Sequence, residues 1–175
     1  MEYRKLGPSG LQVSTVGLGT NNFGGRIDAE GSAAVIHQAL DEGINFIDTA
    51  NSYGRGVSEE RIGATVKDVR SQVLLATKVS GPMGDGPNDK GNSRLHIMEQ
   101  VEASLRRLQT DYIDLYQIHF TDSNTPIEET LRALDDLVHQ GKVRYIGCSN
   151  FAAWQVCEAV WTSRSLNLAP FVSVQ

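Results

Sequence analysis

Four side chains of the kinds used in proton transfer stand where short apolar runs of the sequence end. Asp48 closes the run that begins at Ile44, and Tyr53 follows five residues later on a loop closed by glycines. Lys78 and His119 close two later runs. Because the carboxyl ends of parallel strands meet at one edge of a sheet, we expect these side chains to converge on one spot. The pattern therefore indicates a candidate active site.

The four residue types together suit proton transfer on a carbonyl and alcohol pair. The phenol of Tyr53 would be a better acid beside an ammonium group, because the cation stabilises the phenolate. Lys78 is the candidate ammonium, and Asp48 is the carboxylate that would balance its charge if it is buried. His119 is a candidate donor of a hydrogen bond to the substrate oxygen. The set contains neither a nucleophile nor a metal site.

Each of these residues also has an ordinary structural interpretation. Asp48 alone could cap the following loop, and Tyr53 alone could be a packed surface aromatic. Lys78 could be a solvated strand end, and His119 a hydrogen-bonded histidine of the core. Their shared position at the ends of successive apolar runs favours the catalytic interpretation.

The spacing of the apolar runs predicts the elements that position these residues. A run begins about every 30 residues, which is the length of one strand–helix unit. The runs start near residues 16, 44, 73, 112, 143 and 171. Helical periodicity lies between them, over residues 31–42, 93–108 and 151–164 and after Ser58 and Thr125.

This repeat favours a (β/α)8 TIM barrel over a doubly wound sheet. No Gly-x-Gly-x-x-Gly follows the first run, as a dinucleotide-binding doubly wound sheet would require. A whole barrel needs about 250 residues. We therefore interpret residues 1–175 as a single domain, the N-terminal part of a (β/α)8 barrel, with six strands present and apparently incomplete. Gly7-Pro8-Ser9-Gly10 predicts a β-hairpin before the first strand.

Several local features lead to further expectations. Ser58, followed by two glutamates, is a candidate helix N-cap. Thr125-Pro126-Ile127-Glu128 has the pattern of a capping box. Cys148 and Cys157 are expected to be small buried residues rather than a disulfide. The glycine-rich stretch 80–92 predicts the longest loop, mobile and close to the site.

The composition argues against several classes of partner and environment. A net charge of −5 gives no reason to expect a nucleic-acid partner. No apolar run approaches the roughly 18 residues of a membrane span, and Met1–Lys5 lacks the apolar core of a signal peptide. The expectation is a cytoplasmic protein with no membrane partner. No His and Cys pair has the spacing of a zinc site, so no metal is expected.

Six stretches of the chain resemble signatures of the aldo-keto reductase family. They are Phe46–Ala50, Tyr53–Gly54, Ser58–Gly63, Leu105–Leu108, Asp111–His119 and Gly141–Phe151. The resemblance runs over the whole chain and is closest to the bacterial and channel-subunit-like branches of the family. It implies a (β/α)8 barrel whose N-terminal hairpin covers its bottom.

The resemblance also implies a reaction and a site. The reaction is hydride transfer between a nicotinamide cofactor and a small carbonyl substrate, an aldehyde or a ketone. Tyr53 would be the proton donor, assisted by Lys78, Asp48 and His119. Seven residues would bind the cofactor: Gly19, Thr20, Asn21, Asp48, Ser149, Asn150 and Gln175. Asn150 also fits a helix N-cap.

The resemblance leaves the cofactor and the role open. The family places its clamp on the cofactor's adenosine half in the last two strands, which these residues do not include. The family leans to NADPH, with NADH as the alternative. A cofactor-binding regulatory or interaction subunit on the same fold, or an inactive truncated form, are the alternative roles. We do not expect residues 1–175 alone to be a stable, active monomer, because an open barrel leaves two strand edges unpaired. The resemblance implies that they would also bind the cofactor weakly, because the clamp on its adenosine half is missing.

Overall fold

A computed structural model describes residues 1–175 as a hairpin followed by alternating strands and helices. The strands are β1 (Tyr3–Lys5), β2 (Gln12–Ser14), β3 (Leu18–Gly19), β4 (Phe46–Asp48), β5 (Leu74–Val79), β6 (Ile113–Ile118), β7 (Val143–Cys148) and β8 (Phe171–Val174). The helices are α1 (Ala29–Asp41), α2 (Val57–Val66), α3 (Arg94–Leu108), α4 (Ile127–His139) and α5 (Ala153–Leu166). Two 3₁₀ segments, Tyr53–Gly56 and Lys67–Gln72, flank α2.

The strands from β3 to β8 form one parallel sheet in the order of the chain. Because each strand pairs with its successor, all six carboxyl ends lie along one edge, as the repeat predicts. The first strand of this sheet, β3, is shorter than the apolar run predicted to begin near residue 16, because Val16 lies outside β3 and is exposed. The predicted bounds of α1, α3 and α5 differ from the observed ones by at most two residues.

The core lies where the helices cover the sheet. Every residue of β6 is buried, as are five of the six residues of β5. Such near-continuous apolar runs are typical of parallel strands that are covered on both faces. The helices contribute residues such as Ile62, Ile97 and Leu134, which are all fully buried. This packing holds the strand ends, and therefore the polar residues there, in fixed positions.

Both predicted helix caps are wrong. Gly56 caps α2 with a φ of 98°, while Ser58 is inside the helix and fully buried. Pro126 caps α4 without a side-chain hydrogen bond, and the Thr125 hydroxyl instead donates to Asp122 at 2.7 Å. In both cases a tertiary contact uses the hydroxyl that the local pattern assigned to the helix end. For Ser58 that contact is with Thr20, whose Oγ1 lies 3.0 Å away.

The hairpin lies against the amino-terminal ends of β4 and β8, the position that the resemblance implies. The side chain of Asn45, just before β4, accepts from the Ser14 amide at 2.8 Å and donates to the Gln12 carbonyl at 3.1 Å. At the hairpin turn, a Cβ on Gly7 would lie 2.0 Å from the carbonyl oxygen of Val172 in β8. Only glycine fits there, because any side chain would clash with this oxygen and because the φ of Gly7 is +54°.

The two cysteines differ in environment. Cys148 ends β7 and is buried, whereas Cys157 on α5 is exposed, so the prediction of two buried thiols is wrong for Cys157. The reason is the outward-facing character of α5, in which only Ala159 and Ser163 are buried. Both thiols are free. None of the five helices combines the length and the apolar character needed to cross a membrane.

Candidate active site

The structure brings the four predicted catalytic residues together at the carboxyl edge of the sheet. Asp48 ends β4, Lys78 lies one residue before the end of β5, and His119 directly follows β6. Tyr53 opens the 3₁₀ segment after β4. The Lys78 ammonium lies 2.6 Å from Asp48 Oδ2 and 3.5 Å from the Tyr53 hydroxyl. One cation therefore contacts both the carboxylate and the phenol.

Lys78 is held as a buried cation. Its side chain is 1% exposed, and that of its ion-pair partner Asp48 is 14% exposed. The ammonium also donates to the carbonyl oxygen of Thr49 at 2.9 Å and lies 5.1 Å from the centroid of the Tyr53 ring. A buried charge is tolerated when it is paired and its remaining hydrogen-bonding capacity is used. These contacts meet that condition and fix the ammonium beside the phenol.

Gln117 belongs to this group, although the sequence analysis missed it. It lies on β6, two residues before His119, and is buried. Its side-chain amide donates to Asp48 Oδ1 at 3.2 Å, so both oxygens of that carboxylate have partners. The available signal was a polar amide at a position of β6 where every residue of the strand is buried. Gln117 orients Asp48, which in turn holds Lys78.

His119 is buried against the phenol and is neutral at neutral pH. Its ring packs edge-on against Tyr53, with 5.7 Å between the centroids, and stacks on Phe120 at 4.2 Å. The pKa of His119 is lowered from its ordinary value of 6.5 to about 4, mainly by burial and also by the Lys78 cation, while the Asp48 carboxylate acts in the opposite direction. A neutral imidazole carries one N–H donor and one acceptor nitrogen. His119 can therefore hydrogen-bond a substrate oxygen without adding charge.

The His119 imidazole is expected to titrate near pH 4 in the folded protein. NMR titration of the ring protons would measure this, with a His119→Asn variant assigning the signal. Because the unfolded state binds the proton more readily, the contribution of His119 to stability is complete above about pH 6.5 and is lost as the pH falls toward 4. A midpoint near 6.5 in the folded protein would contradict this environment.

The backbone of His119 and Phe120 is held by Ser80 and Asn92, two residues that the sequence analysis did not single out. Ser80 Oγ accepts from the His119 amide at 3.2 Å and donates to the side-chain oxygen of Asn92 at 2.6 Å. The Asn92 side-chain amide in turn donates to the carbonyl oxygen of Phe120 at 2.9 Å. Ser80 and Asn92 belong to or border the glycine-rich loop, which therefore does lie beside the site. Ser80 has a φ of 138°, an uncommon value for a residue with a side chain.

The predicted cofactor residues at the end of β3 lie beside Asp48. Gly19 pairs with Asp48 in the sheet, and Gly19 and Asn21 are exposed. Thr20 is fully buried, and its hydroxyl donates to the carbonyl oxygen of Asp48 at 2.9 Å. The Thr20 side chain thus ties two strand ends together.

The other predicted cofactor residues lie at the ends of β7 and β8. Asn150 is not an N-cap, because α5 begins only at Ala153 with Ala152 as its cap. Instead Asn150 has a φ of 58°, and its side-chain amide donates to His119 O at 2.9 Å and Ser149 Oγ at 3.0 Å. The Asn150 backbone amide donates to the carbonyl oxygen of Gln175. Ser149, Asn150 and Gln175 therefore form one group, which adjoins His119.

These strand ends carry polar side-chain atoms that have no partner within the chain. The side-chain oxygen of Asn150 and the whole side-chain amide of Gln175 make no hydrogen bond within the chain, and both residues are exposed. An amide group pairs well with such donors and acceptors. No group of three or more His, Cys, Asp or Glu side chains is arranged to hold a metal ion.

The protein has an α/β fold. At the carboxyl edge of its parallel sheet, the ends of adjacent strands carry an Asp–Lys ion pair, a phenol and a neutral imidazole. The chain belongs to the aldo/keto reductase family, whose model matches residues 15–175. Members of this family are nicotinamide-dependent oxidoreductases that act on small carbonyl compounds.

Three similar proteins illustrate the range of the family. One, from Bacillus subtilis (strain 168), is named uncharacterized oxidoreductase YrpG and is 47% identical over 91% of this chain and 52% of its own length. Aldo-keto reductase YhdN from the same organism is 45% identical over 89% of this chain and 49% of its own. A probable voltage-gated potassium channel subunit beta from Arabidopsis thaliana is 40% identical over 96% and 52%. The chain spans about half the length of these curated relatives.

Proposed function

We propose that the protein containing this chain is an NAD(P)H-dependent oxidoreductase that interconverts aldehydes or ketones with alcohols. The observation that carries the proposal is the position of the Lys78 ammonium, 2.6 Å from the Asp48 carboxylate and 3.5 Å from the Tyr53 hydroxyl. A cation held at a phenol stabilises the phenolate and so makes proton donation easier. A purely structural Asp–Lys pair would not require a half-buried phenol beside it.

In this proposal Tyr53 is the general acid. The bound nicotinamide cofactor supplies the hydride, and the Tyr53 hydroxyl gives its proton to the substrate oxygen. Lys78 stabilises the phenolate that remains, while Asp48 and Gln117 hold Lys78 in place. In the direction of alcohol oxidation, the same phenolate takes the proton back. General acid–base catalysis of this kind contributes about 10²–10⁴-fold to a rate.

His119 orients the substrate in this proposal. Its ring lies edge-on to that of Tyr53, so an oxygen within reach of the phenol is also close to the imidazole. Because the low pKa of His119 keeps the ring neutral, it donates a hydrogen bond and leaves the proton transfer to Tyr53. Phe120, stacked on His119 and partly exposed, borders the same space.

The residues at the ends of β3, β7 and β8 would hold the cofactor. We assign Asn150, Gln175 and Ser149 to the nicotinamide carboxamide, since they include amide and hydroxyl groups at one strand edge beside His119. Gly19 and Asn21 would face the cofactor from the other side, and Thr20 would support them through its bond to Asp48. We propose NADPH as the cofactor, following the family resemblance, with NADH as the alternative.

The sheet fits a barrel in this proposal. Its six strands follow one another in sequence order, with the helices as crossovers, which is the connectivity of the first six units of a (β/α)8 barrel. We propose that residues 1–175 belong to one such domain. The hairpin would lie across its bottom, because it contacts the amino-terminal ends of both β4 and β8.

A deuterium-transfer assay tests this function. The complete protein would be given NADPH or NADH that carries deuterium at nicotinamide C4, together with a panel of aldehydes and ketones. We expect cofactor oxidation in step with alcohol formation, with one deuterium on the carbinol carbon by mass spectrometry. Cofactor binding with no labelled alcohol from any substrate would reject the enzymatic proposal.

The similarity to potassium channel beta subunits supports a second candidate, a cofactor-binding regulatory subunit. Such a protein would keep the cofactor site, whereas the geometry of Tyr53 and Lys78 would be under less constraint. Binding of NADPH without turnover in the same assay would favour this candidate. The retained contacts of all four side chains favour the enzyme.

A further inference from the structure

Two loops at the carboxyl edge meet through a pair of glycines. A Cβ added to Gly24, in the loop between β3 and α1, would lie 2.5 Å from Gly54 Cα and 2.9 Å from the carbonyl carbon of Tyr53. A Cβ added to Gly54 would lie 2.4 Å from Gly24 Cα. All of these are backbone atoms, which cannot rotate away as a side chain can. The backbone of one loop therefore rests directly on the Tyr53–Gly54 peptide.

The loop that carries Gly24 is anchored at both ends and in its middle. At its start, Thr20 is bonded to the end of β4 and lies 3.0 Å from the buried hydroxyl of Ser58. Phe23 is buried in the core. The Arg61 guanidinium on α2 donates to the carbonyl oxygens of Phe23 and Ile27, on either side of Gly24. This loop has little freedom to move away from a new methyl group.

The turn on the other side of the contact is strained. Directly after Tyr53, three consecutive residues have positive φ: Gly54 at 60°, Arg55 at 53° and Gly56 at 98°. Arg55 is not a glycine, so its left-handed conformation is strained and must be imposed by its surroundings. Short-range bonds hold the turn, from the Tyr53 amide to Ala50 O and from the Arg55 amide to Ser52 O. Contact with Gly24 adds a tertiary restraint on this turn.

We propose that Gly24 is a positioning residue that fixes the Tyr53 hydroxyl beside Lys78 and His119. The inference deepens the proposed function and rests on it, because it assigns a role in the placement of the proton donor. A Cβ at position 24 would lie 2.5 Å from Gly54 Cα, so the two backbones must separate by about 1 Å to reach an ordinary carbon–carbon contact. Since the loop with Gly24 is anchored, the Tyr53 turn moves and carries the phenol with it. Displacement of a reacting group by this distance costs about 10²-fold in rate.

The chain offers a matched control next to Gly24. Gly25 lies in the same loop, and a Cβ added there would have no heavy atom within 4 Å. Neither glycine has a positive φ, so alanine is not strained at either position by the backbone itself. We expect Gly24→Ala to lower kcat for carbonyl reduction by about 10²-fold with little change in KM or in NADPH affinity. Gly25→Ala should retain the parental kcat.

A double variant separates an effect through Tyr53 from general damage to the fold. In a Tyr53→Phe background the hydroxyl is gone, so Gly24→Ala should cause no further loss of the residual kcat. An equal loss in both backgrounds would overturn the proposal, as would a parental kcat in the Gly24→Ala protein. Non-additivity of this kind is expected only for residues that act through one group.

Two further measurements keep the inference testable whatever the outcome of these assays. If Gly24→Ala does not fold, Arg61→Gln releases the loop from the other side. We then expect a lowered kcat at unchanged KM, and an unchanged kcat would overturn the proposal.

A crystal structure of Gly24→Ala should show a longer distance from Tyr53 Oη to Lys78 Nζ than a crystal structure of Gly25→Ala. That distance is independent of turnover, so an inactive parent would reject the enzymatic function while the displacement of Tyr53 is still measured.

Discussion

Replacement of Tyr53 by phenylalanine is expected to lower kcat for carbonyl reduction by about 10³-fold in the complete protein. The variant loses only the hydroxyl that lies 3.5 Å from Lys78 and keeps the ring that packs against His119. The fold and the cofactor affinity should therefore persist. Steady-state kinetics and fluorescence titration with NADPH would measure the two quantities separately.

Tyr145→Phe is the matched control for the loss of a phenol hydroxyl. Tyr145 lies on β7 in a pocket beside the hairpin residues Pro8 and Ser9, away from the carboxyl edge. Its variant should have the parental kcat. Near-normal turnover in Tyr53→Phe would reject Tyr53 as the proton donor, and equal losses in both variants would point to damage of the fold.

The convergence of Asp48, Lys78 and His119 could be predicted because it follows from topology alone. Once the apolar runs are assigned to parallel strands in sequence order, their carboxyl ends must lie along one edge. Helices such as α3 could also be predicted, since their apolar spacing reports burial on one face. Local periodicity and chain order carry this information without any knowledge of side-chain contacts.

The supporting contacts could not be predicted, because each depends on residues that are far apart in sequence. Gln117 reaches Asp48 across 69 positions, and Ser80 reaches the His119 amide across 39. The contact between Gly24 and Gly54 gives no signal in periodicity, since neither residue has a side chain. Such contacts are set by how the loops pack above the strands.

The helix caps that the sequence suggested and the structure does not contain have the same origin. Ser58 has the residue type and the following glutamates of an N-cap, but burial against Thr20 gives its hydroxyl a tertiary partner. Asn150 also has an N-cap residue type, yet its side chain bonds to His119 O and its backbone is left-handed. In each case a local propensity of about 1 kcal/mol is outweighed by a contact at the site.

Replacement of Lys78 by methionine should affect both catalysis and stability. Loss of a group that stabilises charge in the transition state is expected to lower kcat by about 10²-fold or more. The Asp48 carboxylate, 14% exposed, would lose its cation and keep only Gln117 as a side-chain partner. Breaking a buried pair in this way destabilises a protein by about 3–5 kcal/mol. Chemical denaturation and steady-state kinetics would measure these losses.

A second substitution separates the two roles of Lys78. In Lys78→Met/Asp48→Asn the unpaired buried charge is gone, so most of the stability should return, whereas kcat should stay low because no ammonium faces the phenol. If the double variant regains both stability and turnover, Lys78 serves only to neutralise Asp48, and its assignment as the group that tunes Tyr53 is wrong.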